Sequence, residues 1–268
     1  MKAMILAAGL GTRLRPLTDD KPKALVEVAG RPLVEWQILR LYSYGFPDIV
    51  INVHHFGDKV EEAVKEFMER EGLSVLNVSF SEEFDLLRDT GGGIRHASSL
   101  LEDGEPFLVH NVDILSDMDI EEFYSSSCRK MQEDNTIISC VSVSGRYSDR
   151  RLLFDSDMRL KGWENIRTCQ VKSPFEDIAT LDGKEEAHSI IEEKGLRPFA
   201  FGGVHVLSPK ALGLMQGYGE KFPIVDFYLE NASSFKVLGD YQENSTIIDV
   251  GRLENLPKAE EFMKSQLE

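Results

Sequence analysis

The sequence predicts an α/β fold built on a mostly parallel, mixed sheet with helices on both faces. Apolar runs of strand length recur along the chain, and stripes of helical period lie between the first of them. Strands that alternate with helices form βαβ units, whose parallel strands are covered on both sides. The runs are residues 2–8, Ile49–His54, Ser74–Phe80, Pro106–Asn111, Thr136–Val143, Phe199–Leu207 and Thr246–Val250.

Two helices are predicted between the first strands. One apolar stripe runs from Val34 to Tyr42 and stops at Gly45, a residue that commonly ends helices. The second runs from Val60 to Met68 with apolar residues three and four apart, and it ends at Gly72. Both stripes are interpreted as core-facing, with no functional content of their own.

The alternation fades after about residue 144. Leu152–Phe154 and Leu160–Trp163 flank the turn-like cluster Asp155–Arg159, which predicts a hairpin. Residues from Thr168 to Arg197 are polar and irregular, and they form either a lid over a ligand or a surface excursion. Because no Gly/Ser-rich or Pro-rich linker divides the chain, we expect one domain over residues 1–268.

Composition limits the class of protein. The chain has 268 residues and a formal net charge of −16, which disfavours nucleic acid and anionic membranes as partners. No apolar run is long enough to span a bilayer, and the first residues lack a secretory signal pattern. The cysteines Cys128, Cys140 and Cys169 are odd in number and lack metal-ligand spacing, so we expect reduced thiols in a cytoplasmic protein.

The most informative segment is the turn Gly9-Leu-Gly-Thr-Arg-Leu-Arg-Pro16, which follows the first strand. A glycine turn lets backbone N–H groups approach a phosphate, and flanking cations stabilise its charge. Four cations fall within eleven residues of an acidic chain: Arg13, Arg15, Lys21 and Lys23. A P-loop string is absent, and Leu14 replaces the third glycine of a dinucleotide fingerprint. A plain strand-to-helix turn is the alternative, but the cations favour a nucleoside triphosphate site.

The string from Leu6 to Thr18, followed by Pro22-Lys-Ala-Leu25, closely resembles the signature of sugar-1-phosphate nucleotidyltransferases. Further landmarks of that family span nearly the whole chain: Gly30–Val34, Asp89–Ile94, Asn111–Asp113, Phe201–Gly203 and Asp249–Gly251. The resemblance implies a Rossmann-like (GT-A-like) fold with a nucleotide half at about 1–143. It further implies a small β-hairpin sugar-binding half at about 144–250 and a C-terminal helix over 252–267.

The resemblance also implies the site residues. The implied nucleotide-binding residues are Leu6, Ala8, Gly9, Gly11, Thr12, Arg13, Lys23, Thr90 and Gly91. The implied sugar-binding residues are Asn111, Glu164 and Gly203. Gly9, Asn111 and Asp113 follow strands, and ligands of open α/β sheets bind beyond the carboxyl ends of strands. Because a glycine run is costly inside a helix, we expect Gly91–Gly93 to let a ligand approach the backbone at the start of a helix.

Catalysis is expected to depend on cations and a metal ion, because the reaction brings two highly charged phosphates together. Asp113 and Asp249 each end an apolar run and are the expected ligands of Mg²⁺, with Mn²⁺ as an alternative. Arg13 would bind the β- and γ-phosphates, and Lys23 would reach the α-phosphate. Arg13, Lys23 and Asp113 are therefore the expected catalytic residues.

The chain departs from the family at one position. Many members carry Glu-Lys-Pro after the hairpin, where the lysine binds the sugar phosphate, but this chain has Glu164-Asn165. The replacing cation is left open among Arg151, Lys172 and Arg197. Glu82 and Glu83 are either acceptors for a base N–H or ordinary surface charges.

The Thr-Gly-Gly-Gly-Ile and Asn-x-Asp forms look most similar to the branch that transfers a uridylyl group from UTP to N-acetylmuramate 1-phosphate, in peptidoglycan recycling. We therefore expect a nucleoside triphosphate and a sugar 1-phosphate as partners of a monomer or small homo-oligomer. An arginine from 146–151, or Arg197, is expected to meet the lactyl carboxylate. The alternatives are a mannose- or heptose-1-phosphate guanylyltransferase, a cytidylyltransferase of a small phosphorylated alcohol, and a non-catalytic subunit that senses nucleotide sugars.

Overall fold

The structure is a computed structural model that describes residues 1–266. The strands are β1 (Lys2–Leu6), β2 (Glu27–Val28), β3 (Arg31–Pro32), β4 (Asp48–Val53), β5 (Asn77–Glu82), β6 (Phe107–Asn111), β7 (Ile114–Ser116), β8 (Ile137–Ser144), β9 (Arg150–Phe154), β10 (Leu160–Asn165), β11 (Gln170–Lys172), β12 (Arg197–Leu207), β13 (Lys236–Tyr241) and β14 (Ile247–Asp249). The helices are α1 (Leu33–Ser43), α2 (Gly57–Glu71), α3 (Asp89–His96), α4 (Ser98–Leu101), α5 (Ile120–Glu133), α6 (Glu176–Ala179), α7 (Ala187–Glu193), α8 (Pro209–Met215), α9 (Ile224–Asn231) and α10 (Leu256–Ser265).

One large mixed sheet organises the molecule. Its order along one path is β11-β10-β9-β12-β6-β1-β4-β5, and β8 pairs with both β12 and β13. Pairing is parallel among β6, β1, β4 and β5 and between β8 and β13. It is antiparallel wherever β12 meets its neighbours and through β9, β10 and β11. The predicted α/β class is confirmed, with parallel pairing concentrated in the first half of the chain.

Helices cover both faces of this sheet, because successive side chains of its central strands are apolar and point to opposite faces. Ala3 and Ile5 of β1 pack into one buried cluster with the apolar residues of α1 and α2, whereas Met4 packs into a second cluster with α3, α8 and α9. Successive side chains of a strand point to opposite faces, so a fully apolar strand needs cover on each side.

Most of the predicted elements form close to their expected bounds. The run Ser74–Phe80 is displaced toward its carboxyl end and is observed as β5, and the hairpin is β9 and β10. The strand β13 was missed. The C-terminal helix expected over 252–267 begins later, as α10 after a 3₁₀ turn, and residue 267 lies outside the described residues.

The irregular segment from Thr168 to Arg197 is folded onto the hairpin. It contributes β11, α6 and α7, which bury their own small apolar cluster of Val171, Ile178, Leu181 and Ile191 against Leu153. Among the helices of residues 1–266, none combines the length and the apolar composition that a membrane-spanning helix needs.

Candidate active site

The glycine turn after β1 can only be made by glycine at position 11. Gly11 has φ +63°, and a Cβ there would lie 2.9 Å from Thr18 Cγ2 and 3.0 Å from Lys23 Cβ. The Thr18 hydroxyl donates to the Gly11 carbonyl at 2.9 Å, which closes the turn. Within residues 1–266, the N–H groups of Gly9, Leu10 and Gly11 donate to no acceptor. They are therefore free to bind an anion, as the sequence predicts.

Buried hydrogen bonds fix the end of β1, which precedes this turn. Asn52 accepts from the Ala7 N–H at 2.7 Å and donates to Glu83 Oε1 at 2.7 Å. The second oxygen, Glu83 Oε2, accepts from the Arg88 N–H at 3.0 Å. Glu83 is fully buried, so it is neither a base acceptor nor a surface charge. It is a structural residue of the turn.

The two expected metal ligands are brought together by a small separate sheet. β14 pairs with β7 in antiparallel register, which places Asp249 opposite Ile114. Asp113 immediately precedes Ile114, and its carbonyl accepts from the Val250 N–H at 2.8 Å. Residues that are far apart in sequence therefore become neighbours at the carboxyl end of β6.

Gly251 shows how closely the side chains converge. A Cβ at position 251 would lie 2.7 Å from Asp249 Oδ1, 2.9 Å from Asp113 Oδ2 and 3.1 Å from Arg13 Nη2. The three side chains therefore surround one small space that a methyl group would fill. The Gly251 N–H also donates to Asp249 Oδ1 at 2.8 Å, which orients that carboxylate.

Lys23 forms an ion pair with Asp113, and both side chains are only 12% exposed. Burial raises the pKa of the Asp113 carboxyl, but the Lys23 ammonium outweighs that effect and holds this pKa below its ordinary value. Asp113 is therefore ionised at neutral pH, as a metal ligand must be.

The pair of aspartates suits a hard cation that also binds phosphates. Within residues 1–266, no group of three or more His, Cys, Asp or Glu side chains is arranged to hold a metal by itself. Mg²⁺ characteristically takes one or two carboxylates and completes its octahedron with substrate phosphates and water. The convergence of two carboxylates on the Gly251 space fits that ion.

A cavity of about 500 Å³ opens beside these aspartates. Such a volume is within the range of small-molecule sites. The expected site residues among its walls are Arg13, Asn111, Asp113, Gly203 and Asp249. The remaining walls come mainly from the second half of the chain, namely Ile114, Arg146, Ser148, Arg150, Leu152, Trp163, Gln170, Lys172, Phe201, Pro223, Val225 and Asp226.

Gly203 is required by its surroundings. Its φ is +78°, and a Cβ there would lie 2.5 Å from Ile114 Cγ1 and 3.2 Å from Asn111 Nδ2. The register of β12 shifts at this point. Gly203 therefore lets β12 pass close to the end of β6 and exposes Asn111 to the cavity.

The structure corrects the expected role of Glu164 as a sugar-binding residue. Its side chain is 2% exposed and pairs with Arg151 at 2.9 Å, with His188 3.4 Å away. It does not line the 500 Å³ cavity, whereas the preceding residue, Trp163, does. Successive residues of β10 face opposite sides, so the strand turns the tryptophan toward the cavity and the glutamate away from it.

The first two glycines of α3 are needed for close contacts within the protein. A Cβ on Gly91 would lie 2.4 Å from a ring carbon of Phe222, and one on Gly92 would lie 2.4 Å from the Glu220 carbonyl. The N–H groups of both glycines donate to the Phe222 carbonyl. The atoms pressed against this backbone belong to the protein itself. The Thr90 hydroxyl accepts from the Ile224 N–H at 2.9 Å and helps to hold the same loop.

The structure therefore divides the expected site residues into groups. Leu6, the last residue of β1, pairs with Asn111, and Ala8, Gly9, Gly11 and Thr12 follow it at the same edge of the sheet. Thr90 and Gly91 lie in the first turn of α3 and do not line the large cavity. Their assignment to the nucleotide remains a prediction.

Comparison with known proteins gives one family for the first half of the chain. Residues 2–148, more than half of the sequence, match the family described as Nucleotidyl transferase.

Relatives with curated names match a similar part. The chain is 44% identical over 128 residues to an N-acetylmuramate alpha-1-phosphate uridylyltransferase of Neisseria meningitidis, covering 47% of this chain and 53% of the relative. It is 50% identical over 111 residues to a protein of the same name from Caulobacter vibrioides, covering 41% and 45%. It is 36% identical over 148 residues to a mannose-1-phosphate guanyltransferase of Gibberella zeae, covering 55% and 40%. The chain thus spans about half the length of the curated relatives it matches.

Solved structures match along the whole chain. HddC from Yersinia pseudotuberculosis, complexed with GMP-PN, superposes with a TM-score of 0.64 at 21% identity, covering 98% of this chain and 99% of that one. A UDP-glucose pyrophosphorylase complexed with UDP-glucose gives 0.72 at 17% identity, covering 99% and 98%. These likenesses show the fold and confirm its Rossmann-like class.

Proposed function

Since the chain belongs to the nucleotidyl transferase family, we propose that it transfers a nucleotidyl group from a nucleoside triphosphate to a sugar 1-phosphate and releases pyrophosphate. The observation that carries the proposal is the convergence of Asp113, Asp249 and Arg13 around the Gly251 space, at the wall of a large cavity. Two carboxylates and a guanidinium at one point suit a metal-bound polyphosphate.

The reaction needs no protein nucleophile. A phosphate oxygen of the sugar 1-phosphate attacks the α-phosphorus, a new P–O bond forms, and the bond to the oxygen that bridges the α- and β-phosphates breaks. Pyrophosphate leaves with that oxygen and its electron pair. The free N–H groups of the Gly9–Gly11 turn and the Arg13 guanidinium bind the departing charge.

Lys23 changes partner in the proposed cycle. In the structure its ammonium neutralises Asp113. When Mg²⁺ or Mn²⁺ is bound by Asp113 and Asp249, the metal ion supplies positive charge to the reacting phosphates. With Asp113 holding that ion, Lys23 would donate to the α-phosphate, where negative charge grows in the transition state.

We further propose UTP and N-acetylmuramate 1-phosphate as the substrates, a pair that belongs to cytoplasmic peptidoglycan recycling. Two relatives at 44% and 50% identity are named for that reaction, whereas a relative named for mannose 1-phosphate is 36% identical. The cavity also offers Arg150, whose guanidinium has no carboxylate partner within residues 1–266. An unpaired arginine in the sugar pocket suits the lactyl carboxylate of muramate.

A panel of pyrophosphate-release assays tests both the proposed nucleotidyl transfer and the proposed pair of substrates. It crosses the four common nucleoside triphosphates with N-acetylmuramate, N-acetylglucosamine, mannose and glucose 1-phosphates. UTP with N-acetylmuramate 1-phosphate should exceed UTP with N-acetylglucosamine 1-phosphate by at least about 10-fold in kcat/KM, equivalent to about 1.4 kcal/mol. Preference for GTP with mannose 1-phosphate would support the guanylyltransferase alternative, and release with no pair would refute nucleotidyl transfer.

The Arg150→Gln variant separates the sugar preference from the chemistry. Its rate with N-acetylmuramate 1-phosphate should fall to that with N-acetylglucosamine 1-phosphate, because the charged partner of the carboxylate is gone. The rate with N-acetylglucosamine 1-phosphate itself should be unchanged. If the variant still prefers N-acetylmuramate 1-phosphate to the same degree, Arg150 does not bind the lactyl carboxylate.

A further inference from the structure

Arg146 occupies a distinctive position in the cavity wall. It follows β8 in a turn, and its Nη2 donates to the Phe201 carbonyl at 2.9 Å. Phe201 belongs to β12, which pairs with β8 in this region, so the guanidinium is held between two strands. Its Nε is buried and has no partner within the described residues. Arg146 is thus a fixed cation with an unused donor beside the cavity.

The charge of Arg146 lies close to the proposed metal site without touching it. No carboxylate within residues 1–266 forms an ion pair with its guanidinium. Burial lowers the pKa of this arginine, and the negative charges of Asp249 and Asp113 oppose that shift. Arg146, Asp113 and Asp249 line the same cavity of about 500 Å³, so a phosphate bound there can meet the guanidinium and the proposed metal site together.

The cations left open by the sequence have other partners. Arg151 is paired with the buried Glu164 at 2.9 Å and does not line the cavity. Lys172 lines it but forms an ion pair with Asp226 at 2.8 Å. Arg197 also lies outside the cavity wall, where its guanidinium lies over the Phe199 ring, 5.1 Å from the centroid.

We propose that Arg146 binds the phosphate of the sugar 1-phosphate and holds its attacking oxygen toward the α-phosphorus. The inference rests on the proposed nucleotidyl transfer. A guanidinium on a rigid backbone contact suits this task, because it both neutralises the incoming dianion and directs it. Arg146 thereby replaces the lysine that the hairpin of this chain lacks, and it does so from the end of β8 rather than from the hairpin.

Steady-state kinetics of Arg146→Ala and Arg146→Lys test the proposal. Each substrate is varied separately against the wild type, with UTP and N-acetylmuramate 1-phosphate as the first pair. The KM for the sugar phosphate should rise roughly 10- to 100-fold in Arg146→Ala, the range for one charge-assisted hydrogen bond. The KM for the triphosphate should change less than about 2-fold. Arg146→Lys should recover part of the loss, and added guanidinium ion should rescue Arg146→Ala.

The exposed Arg197 provides the matched control, since Arg197→Ala removes a cation from outside the cavity and should behave as wild type. Calorimetric binding of the sugar 1-phosphate, in the presence of Mg²⁺ and a non-hydrolysable triphosphate analogue, gives a readout independent of turnover. Loss of that binding in Arg146→Ala, with thermal melting and analogue binding retained, supports the proposal. Unchanged sugar phosphate binding overturns it. Equal loss for both substrates also overturns it. If the wild type releases no pyrophosphate with any pair, nucleotidyl transfer fails, and the binding arm still decides the role of Arg146.

Discussion

Replacing Gly251 by alanine adds a single methyl group to the most crowded point of the proposed metal site. That carbon would lie 2.7 Å from Asp249 Oδ1 and 2.9 Å from Asp113 Oδ2. Ordinary contacts between such atoms are about 3.5 Å, so each carboxylate has to retreat by roughly 0.5–1 Å. The φ of Gly251 is outside the left-handed region, so the backbone itself accepts alanine.

The functional cost follows from the tolerance of metal coordination. Plausible ligand distances vary by only about 0.2 Å, and a misplacement of about 1 Å can cost about 10²-fold in rate. Displacement of two ligands and of Arg13 should therefore lower kcat/KM by about 10²- to 10³-fold, or roughly 2.7–4 kcal/mol. Because these side chains face the cavity, the free energy of unfolding should change by no more than about 1 kcal/mol.

The measurements are pyrophosphate release at saturating Mg²⁺ and thermal melting of the same samples. Gly213→Ala is the matched control, since Gly213 lies in α8 and a Cβ there meets no atom within 4 Å. It should retain full activity and gain roughly 0.5–1 kcal/mol of stability. Wild-type activity in Gly251→Ala would refute the assignment of this space to the metal and the triphosphate. A collapse in melting temperature would show a structural role instead.

Three other outcomes are expected. Lys23→Ala should lower kcat by about 10²- to 10³-fold with little change in KM, because its contact strengthens in the transition state; an effect on KM alone would contradict this role. Asp113→Asn and Asp249→Asn should each abolish Mg²⁺-dependent turnover and keep the fold, as measured by melting. Mn²⁺ should restore part of the activity, and a collapsed melt would show that the aspartate is structural. Burial lowers the pKa of His110 to about 4 and of His205 to about 3, while the unfolded chain binds protons near 6.5. Stability should therefore be retained above pH 6.5 and fall at lower pH by up to roughly 1.4 kcal/mol per pH unit for each histidine, until the folded-state pKa values are reached. Denaturant unfolding from pH 7 to 4.5 measures this fall, and a flat profile for the wild type would contradict it.

The sequence predicted which polar residues lie at the ends of strands, but it did not predict which residues of the hairpin face the cavity. Asp113 and Asp249 each come at the end of an apolar run. A residue in that position lies at the edge of a sheet, whatever the order of the strands. For β10 the outcome depended on which face meets the cavity. Trp163 and Glu164 are adjacent, and nothing in their order reveals that the tryptophan faces inward.

The remaining differences arise from tertiary contacts that local patterns do not carry. Gly91 and Gly92 predicted a close approach to the backbone, but only the fold shows that Phe222 and Glu220 make it. The strand β13 mixes charged and small residues, and its pairing with β8 determines its conformation. Arg146 lies in a connection where the sequence shows no helical or strand period. Its position is set by the hydrogen bond to the Phe201 carbonyl, which the sequence does not reveal.

The pairing of β7 with β14 has a consequence for biosynthesis. Asp113 is synthesised 136 residues before Asp249, the position of the second carboxylate of the proposed site. A nascent chain can assemble the glycine turn and the first parallel strands while it still lacks half of the proposed metal site. Closing so long a loop is slow compared with local folding. Capacity for metal-dependent turnover is therefore expected to arise only after the first parallel strands are already compact.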